Sequence, residues 1–301
     1  MTFRHNNVTY RHNKAFKPLQ WFYTGLSLTN RQYKLFGLLT VEPSKPTRKE
    51  TMSPKIFSPE EKDAREQEML DCARDIIKTD GEAGLTIDKL VKKLPYSKGT
   101  VYNHFTSKED ILMALCHRHM TQIAELYVRA LSFEGTSREK ALAVHVGSLL
   151  QAKANPDDFM MAVTVKTAGC HEKASDKRMQ EHQHVEGKII TPIFNLFRSA
   201  LENNELVLPE GMAVEQLAFS CWSIDFGTQI LLMGGQSGCG LRNQLNVERE
   251  LINSINLLHD GMRWKPLAQD FDWKASIQRM KTEVFAKEMA IINAAGVEMT
   301  V

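Results

Sequence analysis

The chain has 301 residues, 43% of them hydrophobic and 25% charged, with 38 Lys and Arg against 36 Asp and Glu. That is apolar enough for a real core and long enough for one large or two smaller domains, which excludes a wholly disordered chain, a collagen-like repeat and a small disulfide scaffold. The near-neutral total hides an asymmetry. Residues 1–51 hold nine basic residues against Glu42 and Glu50, a net of +7, so the other 250 residues must sum to −5 for the whole chain to reach +2.

The five cysteines, Cys72, Cys116, Cys170, Cys221 and Cys239, are odd in number, scattered and never spaced as C-x-x-C. This argues against a disulfide framework or structural zinc module and fits a reducing cytosol. No run reaches 18 apolar residues, and the most apolar stretch, 217–233, carries Asp225 near its middle, a poor choice for a membrane span. Residues 35–41 are too short for a signal peptide. The expectation is a soluble, cytoplasmic protein without a membrane segment.

In chain order, residues 1–57 mix basic and aromatic residues without sustained period, with prolines at 43, 46 and 54. They read as a basic, disordered N-terminal extension, with Met52 a candidate true start; the competing reading is a basic arm that adds phosphate contacts. At Ser58-Pro59-Glu60-Glu61 the character changes to a helix start: a hydroxyl N-cap, proline at the first helical position and acids in the first turn. Met69, Leu70, Ala73, Ile76 and Ile77 follow at helical spacing.

Thr86 is placed to cap a helix whose Ile87, Leu90, Val91 and Leu94 share one side. Pro95-Tyr96-Ser97 makes a tight break, and a short helix follows from about Lys98 to Phe105, with Val101 and Phe105 facing inward. Ser107-Lys108-Glu109-Asp110 then starts a long helix. Two short helices joined by a tight turn, with a longer one before them, make a helix-turn-helix over residues 58–110. The second short helix directs Lys98, Thr100, Tyr102, Asn103 and His104 outward, and Gly99 has no side chain to hold DNA off. Lysine and hydroxyl groups suit phosphates and base edges, and Asn pairs bidentately with adenine. Residues 85–108 hold five lysines and the single acid Asp88, a local net of +4 in an acidic body. The competing reading is a plain helical hairpin with Tyr102 in the core.

From residue 111 to 301 the pattern is helix after helix. Thr136-Ser137-Arg138-Glu139 is a second capping box, and Asn155-Pro156-Asp157-Asp158 another N-cap, proline and acid start. Gly- or Pro-containing breaks fall at 81–84, 208–211, 234–240 and 264–266, and no alternating strand-like run appears. The fold class is therefore all-α, with nine or ten helices. Pro192 interrupts the run from about Asp176 to Asn203, where a kink or break is expected. From Gln216 to Leu241 the only charged residue is Asp225, so that helix must be buried in a core or a subunit interface. Met161, Trp222, Asp225 and Phe226 are the candidates to line a small-molecule pocket, with Asp225 positioned to meet a cationic group and methionine suited to an adaptable wall; ordinary core packing is the alternative for each. Cys170, His171, His182 and His184 invite a test as metal ligands. The Cys-His pair is adjacent and the last two histidines are two apart, on different helix faces, so they read as exposed, and neither metal nor cofactor is expected.

The stretch Ser97-Lys98-Gly99-Thr100-Val101-Tyr102-Asn103-His104-Phe105, with Thr86 before it and Ser107-Lys108-Glu109 after it, resembles the N-terminal domain of TetR/AcrR-family transcriptional regulators. The resemblance covers residues 60–112. It implies that Thr86, Lys98, Gly99, Thr100, Tyr102, Asn103, His104 and Lys108 form the DNA-binding surface, with Tyr102 and Lys108 on the phosphate backbone. It also implies that the later helices form an effector-binding and dimerisation domain, with helices near 212–233 and 244–262 pairing across a two-fold axis. One departure is the turn, Leu94-Pro95-Tyr96-Ser97, where the family carries Ala-Gly-Val-Ser: proline cannot supply the positive φ that glycine allows. The implied protein is a homodimeric repressor, not an enzyme, that reads an inverted repeat in double-stranded DNA and is released by a small-molecule effector. A regulator controlled by a partner protein, or constitutive, is the alternative, and a metal-dependent enzyme a remoter one.

Overall fold

Helix starts in this chain are written in side chains that satisfy the free N–H groups of the first turn. The structure, a computed structural model, describes residues 57–166, 168–233 and 240–300. The basic segment before residue 57, Met52, Cys239 and most of the 234–240 break lie outside the described residues. Helix α1 (Pro59–Asp80) starts on a complete capping box, with Ser58 bonded to the Glu61 N–H and Glu61 returning to the Ser58 N–H. Thr86 caps α2 (Ile87–Lys93), Ser97 caps α3 (Lys98–His104) and Ser107 caps α4 (Lys108–Leu131). A second complete box at Thr136 and Glu139 opens α5 (Ser137–Ala154). At Asn155, ahead of α6 (Pro156–Val165), the expected side-chain bond is missing; Asn155 also ends α5, and its ψ of 63° departs from the extended backbone of the serine and threonine caps that do bond.

The rest is helical too: α7 (Ala168–Lys173), α8 (Asp176–Glu202), α9 (Val214–Met233), α10 (Val247–Gly261), α11 (Trp273–Glu283) and α12 (Ala286–Ala294). The described residues contain no strand and twelve α-helices. The excess over nine or ten comes from short elements, such as α7, that apolar periodicity does not resolve. Pro192 does not break its helix: α8 runs through it from Asp176 to Glu202. Lys188, whose carbonyl loses its partner to the proline, lies on the exposed side, where water serves that oxygen instead.

Residues 56–301 form one compact unit. Long α4 crosses the expected boundary near residue 110. Its first half joins Met69, Leu90, Val101 and Phe105 of the helix-turn-helix in one apolar cluster, to which α6 and α8 add Val165 and Val185. Its second half, with Leu126 and Ala130, packs with α5, α10, α11 and α12 around Leu150, Ile255, Ile277 and Phe285. A third cluster, around Phe197, Leu217 and Trp264, joins α8, α9 and α5. Fully buried Arg138 ties the last two together: its guanidinium bonds Asp260 Oδ1 at 2.5 Å, the Trp264 carbonyl at 2.7 Å and Asn256 Oδ1 at 3.1 Å.

Candidate nucleic-acid interface and regulatory cavity

The orientation of α3 follows from what it buries. Val101 and the following Phe105 are wholly inaccessible, and the Ser97 hydroxyl fixes the helix start by accepting from the Thr100 N–H at 3.1 Å. The opposite face is left in solvent, with Lys98, Gly99, Tyr102 and Asn103 exposed and Thr100 half-buried. Tyr102 keeps 44% of its surface open, which removes the core reading for that residue. A Cβ on Gly99 would meet only the Ser97 hydroxyl, at 3.9 Å, so nothing inside the protein requires glycine there.

The charges on this face are held by exposed partners. Lys98 Nζ lies 2.7 Å from Asp88 Oδ1 and 5.8 Å from the Tyr102 ring centre, and the bond from Asp88 holds the lysine above its ordinary pKa. Lys108 Nζ meets Glu82 at 2.6 Å. Pairs like these contribute little in water and exchange readily for phosphate oxygens. The Thr86 hydroxyl accepts from the Lys89 N–H at 3.1 Å and so sits at the N-terminus of α2.

His104 does not share the outward face expected of it. Its Nδ1 lies 3.3 Å from Glu66 of α1, and the ring is only 12% exposed. It follows Val101 by three residues, and that spacing places it on the inner side of the helix. The turn before α3 also differs from the glycine-based expectation. Leu94 and Ser97 are extended, and no residue from 94 to 97 has a positive φ. The Tyr96 hydroxyl instead donates to Glu68, and Arg65 lies over its ring at 5.6 Å, so a side chain rather than a backbone twist pins the turn to α1.

The start of α8 grips this unit. Arg178, almost fully buried, bonds Glu66 at 2.7 Å, reaches the His104 carbonyl at 3.3 Å and covers the Phe105 ring at 5.1 Å. Burial works against the charge of Glu66, but Arg178 outweighs it and holds the carboxyl below its usual range. One turn of α4 away, buried Asp110 accepts from the Thr106 N–H at 2.9 Å and hydroxyl at 2.6 Å, and from the Ser175 N–H at 2.7 Å. Burial again opposes its charge, and these bonds, led by Ser175, lower its pKa nonetheless.

Above this junction, α4, α5, α6, α8 and α9 enclose a cavity of about 410 Å³. Its walls are apolar, with Ile189, Ile193 and Phe197 from α8 and Met120 and Ile123 from α4, whereas His145, Ser148, Asp225 and Gln229 form one polar side. Asp225 Oδ2 takes a 2.7 Å bond from His145 Nδ1, and its Oδ1 accepts from Ser148 at 3.1 Å and from Gln229. Burial alone would lower the His145 pKa; Asp225 and the Cys221 sulfur overcome it and raise it to about 9. Of the four pocket candidates, Trp222, Asp225 and Phe226 line this cavity. Met161 does not: it is buried in the cluster shared with the helix-turn-helix. The cationic partner expected for Asp225 exists within the chain, as His145.

The histidines expected to be exposed divide. His184 is exposed and His171 half-buried, whereas His182 is 5% exposed. Its ring centre lies 5.4 Å from those of both His117 and His171. Residues 176–202 form one helix, so His182 falls three residues before Val185 on the covered side.

Residues 69–115 match the family described as bacterial regulatory proteins, tetR family. Over that stretch the chain is similar to the N-terminal domain of TetR-family regulators. Over 71 residues it is 31% identical to the HTH-type transcriptional repressor AcnR of Corynebacterium diphtheriae, a match that covers 24% of this chain and 37% of that protein. Over 77 residues it is 30% identical to the fatty acid metabolism regulator protein of Bacillus subtilis, covering 26% of this chain and 40% of that one. The chain thus spans about two fifths of the length of the curated relatives it matches. The wider fold is similar to the transcriptional regulator FadR from Bacillus subtilis, solved in complex with stearoyl-CoA, with a TM-score of 0.50 and 16% identity over 65% of this chain and 98% of that one. At that identity the likeness is one of fold. The TetR family and these relatives are transcriptional regulators, not enzymes. No helix among the described residues is long and apolar enough to cross a membrane.

Sequence reasoning missed Arg178, Glu66, His145 and Ser148. For His145 and Ser148 a signal exists: they are the polar members of the otherwise apolar run Ala141–Leu150. Arg178 and Glu66 sit among charged neighbours, and nothing in local spacing marks them.

Proposed function

We propose that this chain is a homodimeric, cytoplasmic transcriptional repressor that binds an inverted-repeat operator through α3 and leaves it when a small molecule fills the cavity of α4, α5, α6, α8 and α9. The observation that carries the reading is the outward face of α3. It presents Lys98, Gly99, Tyr102 and Asn103 at the most basic point of an acidic body, on a domain that matches a family of regulators. Tyr102, Lys98 and Lys108 serve the phosphates, the N-terminus of α2 at Thr86 adds a further phosphate site, and Thr100 and Asn103 are the base readers. His104 acts from behind, as part of the seat of α3 on α1.

The second copy is supported by an apolar surface on α9 and α10. Phe219 is 62% exposed, Leu231 57% and Leu257 73%, apolar side chains that a partner helix would cover. Two-fold pairing of these helices sets two recognition helices on successive major grooves, about 34–36 Å apart.

The effector reading rests on the cavity, whose size falls in the range of small-molecule sites and whose lining joins apolar walls to convergent polar groups. An elongated apolar molecule with a hydrogen-bonding head fits that lining, and stearoyl-CoA is what the FadR structure of similar fold holds. Helix α8 connects the two functions: Ile189, Ile193 and Phe197 line the cavity, and Ser175 and Arg178 at its start hold the Thr106–Asp110 corner and α3. A ligand that displaces α8 favours a spacing of recognition helices that no longer fits the operator, and by linkage DNA weakens the ligand equally. The test is operator binding by the Lys98→Ala, Tyr102→Ala double variant. Retained affinity in a folded variant contradicts the reading.

A further inference from the structure

At the polar side of the cavity, three helices bring together two histidines and a cysteine whose joint chemistry the regulator reading leaves open. Cys221 of α9, His145 of α5 and His259 of α10 are all buried, and one ligand atom from each lies within 4.8 Å of the others. His259 is wholly inaccessible, and neither of its ring nitrogens has a hydrogen-bond partner. A buried imidazole with both nitrogens unsatisfied costs stability unless something else occupies them. His145, by contrast, is oriented: its Nδ1 is fixed by Asp225, as metal-bound histidines are fixed by a carboxylate on the far nitrogen. Asp225 is itself held by Ser148 and Gln229, so the ring cannot easily turn.

We infer that His145, Cys221 and His259 form a binding site for a transition-metal ion of the zinc class, with Asp225 as the positioning residue. Two imidazoles and a thiolate are the donor set of borderline to soft cations and a poor one for magnesium or calcium. The charges also close. A dication, the Cys221 thiolate and the Asp225 carboxylate sum to zero, which is the condition for burying them together. On binding, the Cys221 thiol and the His145 imidazolium each give up a proton to solvent, while His259, which burial already keeps neutral, offers its nitrogen directly. Zinc–nitrogen and zinc–sulfur bonds of about 2.1 and 2.3 Å place ligand atoms roughly 3.4–3.8 Å apart. The present separations, up to 4.8 Å, therefore need a contraction of about 1 Å, which rotation of the Cys221 and His259 side chains towards the fixed His145 supplies. Three protein ligands leave a coordination position open, and two of them, His145 and Cys221, border the cavity. The site thus joins α5, α9 and α10 at the proposed effector pocket. It stands independently of the DNA reading, because metal uptake is measured without DNA.

The experiment uses reduced, metal-free, full-length protein titrated with Co(II) without oxygen, reading the thiolate-to-cobalt charge-transfer absorption. The inference predicts a band that saturates at one Co(II) per chain and is abolished by added Zn(II). The band is lost in Cys221→Ser, and Zn(II) affinity falls about tenfold or more in Asp225→Asn. His259→Gln also lowers affinity, whereas Cys170→Ser, beside the His117–His171–His182 group, leaves the band in place. Far-UV circular dichroism confirms that each variant is folded, and the two ligand variants keep the test open if one of them is not. A wild-type protein with no band, a band that survives in folded Cys221→Ser, or a band that follows Cys170 overturns the inference.

Discussion

Arg178 and Glu66 meet at 2.7 Å across the seam between α8 and α1, and the same guanidinium reaches the carbonyl of His104 at the end of α3. One buried side chain thus links a helix that lines the cavity to the helix proposed to read DNA. Breaking a buried pair from one side leaves the other charge stranded. Arg178→Met is expected to cost about 3 kcal/mol in urea unfolding, and Glu66→Gln in the same background to recover part of it. A double variant no better than Arg178→Met would show that the two residues are not coupled.

The same seam is acid-sensitive. Glu66 and Asp110 both have carboxyl groups held below their ordinary values of 4.5 and 3.8. A depressed folded-state pKa adds stability that is fully present above the unfolded value and is lost as pH falls through the folded one. Stability should therefore decline below pH 4.5, and Asp110→Asn should flatten part of that decline while lowering stability at neutral pH. An acid limb of equal steepness in the variant would remove Asp110 from the account.

Lys98 and Lys108 sit in exposed pairs that phosphates replace. Changing either to Ala should weaken DNA binding across sequences and reduce the salt slope by about one unit. Asn103→Ala should instead relax base preference at one position of each half-site, at a cost of about 1–3 kcal/mol. Binding measured at several salt concentrations separates the two behaviours; a salt slope unchanged by Lys98→Ala would take that lysine off the phosphates.

Leu257 is 73% exposed, so its replacement by Glu should alter the stability of a single folded chain by no more than about 0.5 kcal/mol. If α9 and α10 pair across a two-fold axis, the same change shifts sedimentation from dimer towards monomer. A variant that sediments as the wild type places the interface elsewhere.

Arg138 lies wholly inside, joining α5 to Asp260, Asn256 and Trp264. Arg138→Met should destabilise the chain by about 2 kcal/mol, towards the low side for a buried pair because Asp260 is more than a third exposed. Denaturant unfolding without DNA measures it, and a change near zero would mean that apolar packing of the methionine offsets the lost bonds.

The sequence was most legible where local chemistry decides the outcome. Ser58, Thr86, Ser107 and Thr136 each cap the helix that follows them, because a hydroxyl one position before a helix has one nearby set of donors to satisfy. The outward face of α3 was legible for Lys98, Tyr102 and Asn103, because Val101 and Phe105 fix the inner side. It failed for His104, whose orientation depends on Glu66, 38 residues earlier. Asp225 was visible as the lone charge in an apolar helix, but its partner His145 lies 80 residues away, and no spacing rule joins them. The proline-containing turn was resolved by Tyr96 and Glu68, again a long-range contact. What periodicity cannot supply is which buried polar groups meet, and those meetings form the polar side of the cavity and the seam beneath it.

The most direct test of the central claim is selection of randomised duplex DNA by the purified full-length protein at moderate salt, read by sequencing. The account predicts enrichment of an inverted repeat whose half-sites lie about one helical turn apart, or a multiple of it, lost in the Lys98→Ala, Tyr102→Ala variant. Recovery of no DNA, or of DNA without a preferred site, by metal-free and ligand-free protein would contradict it.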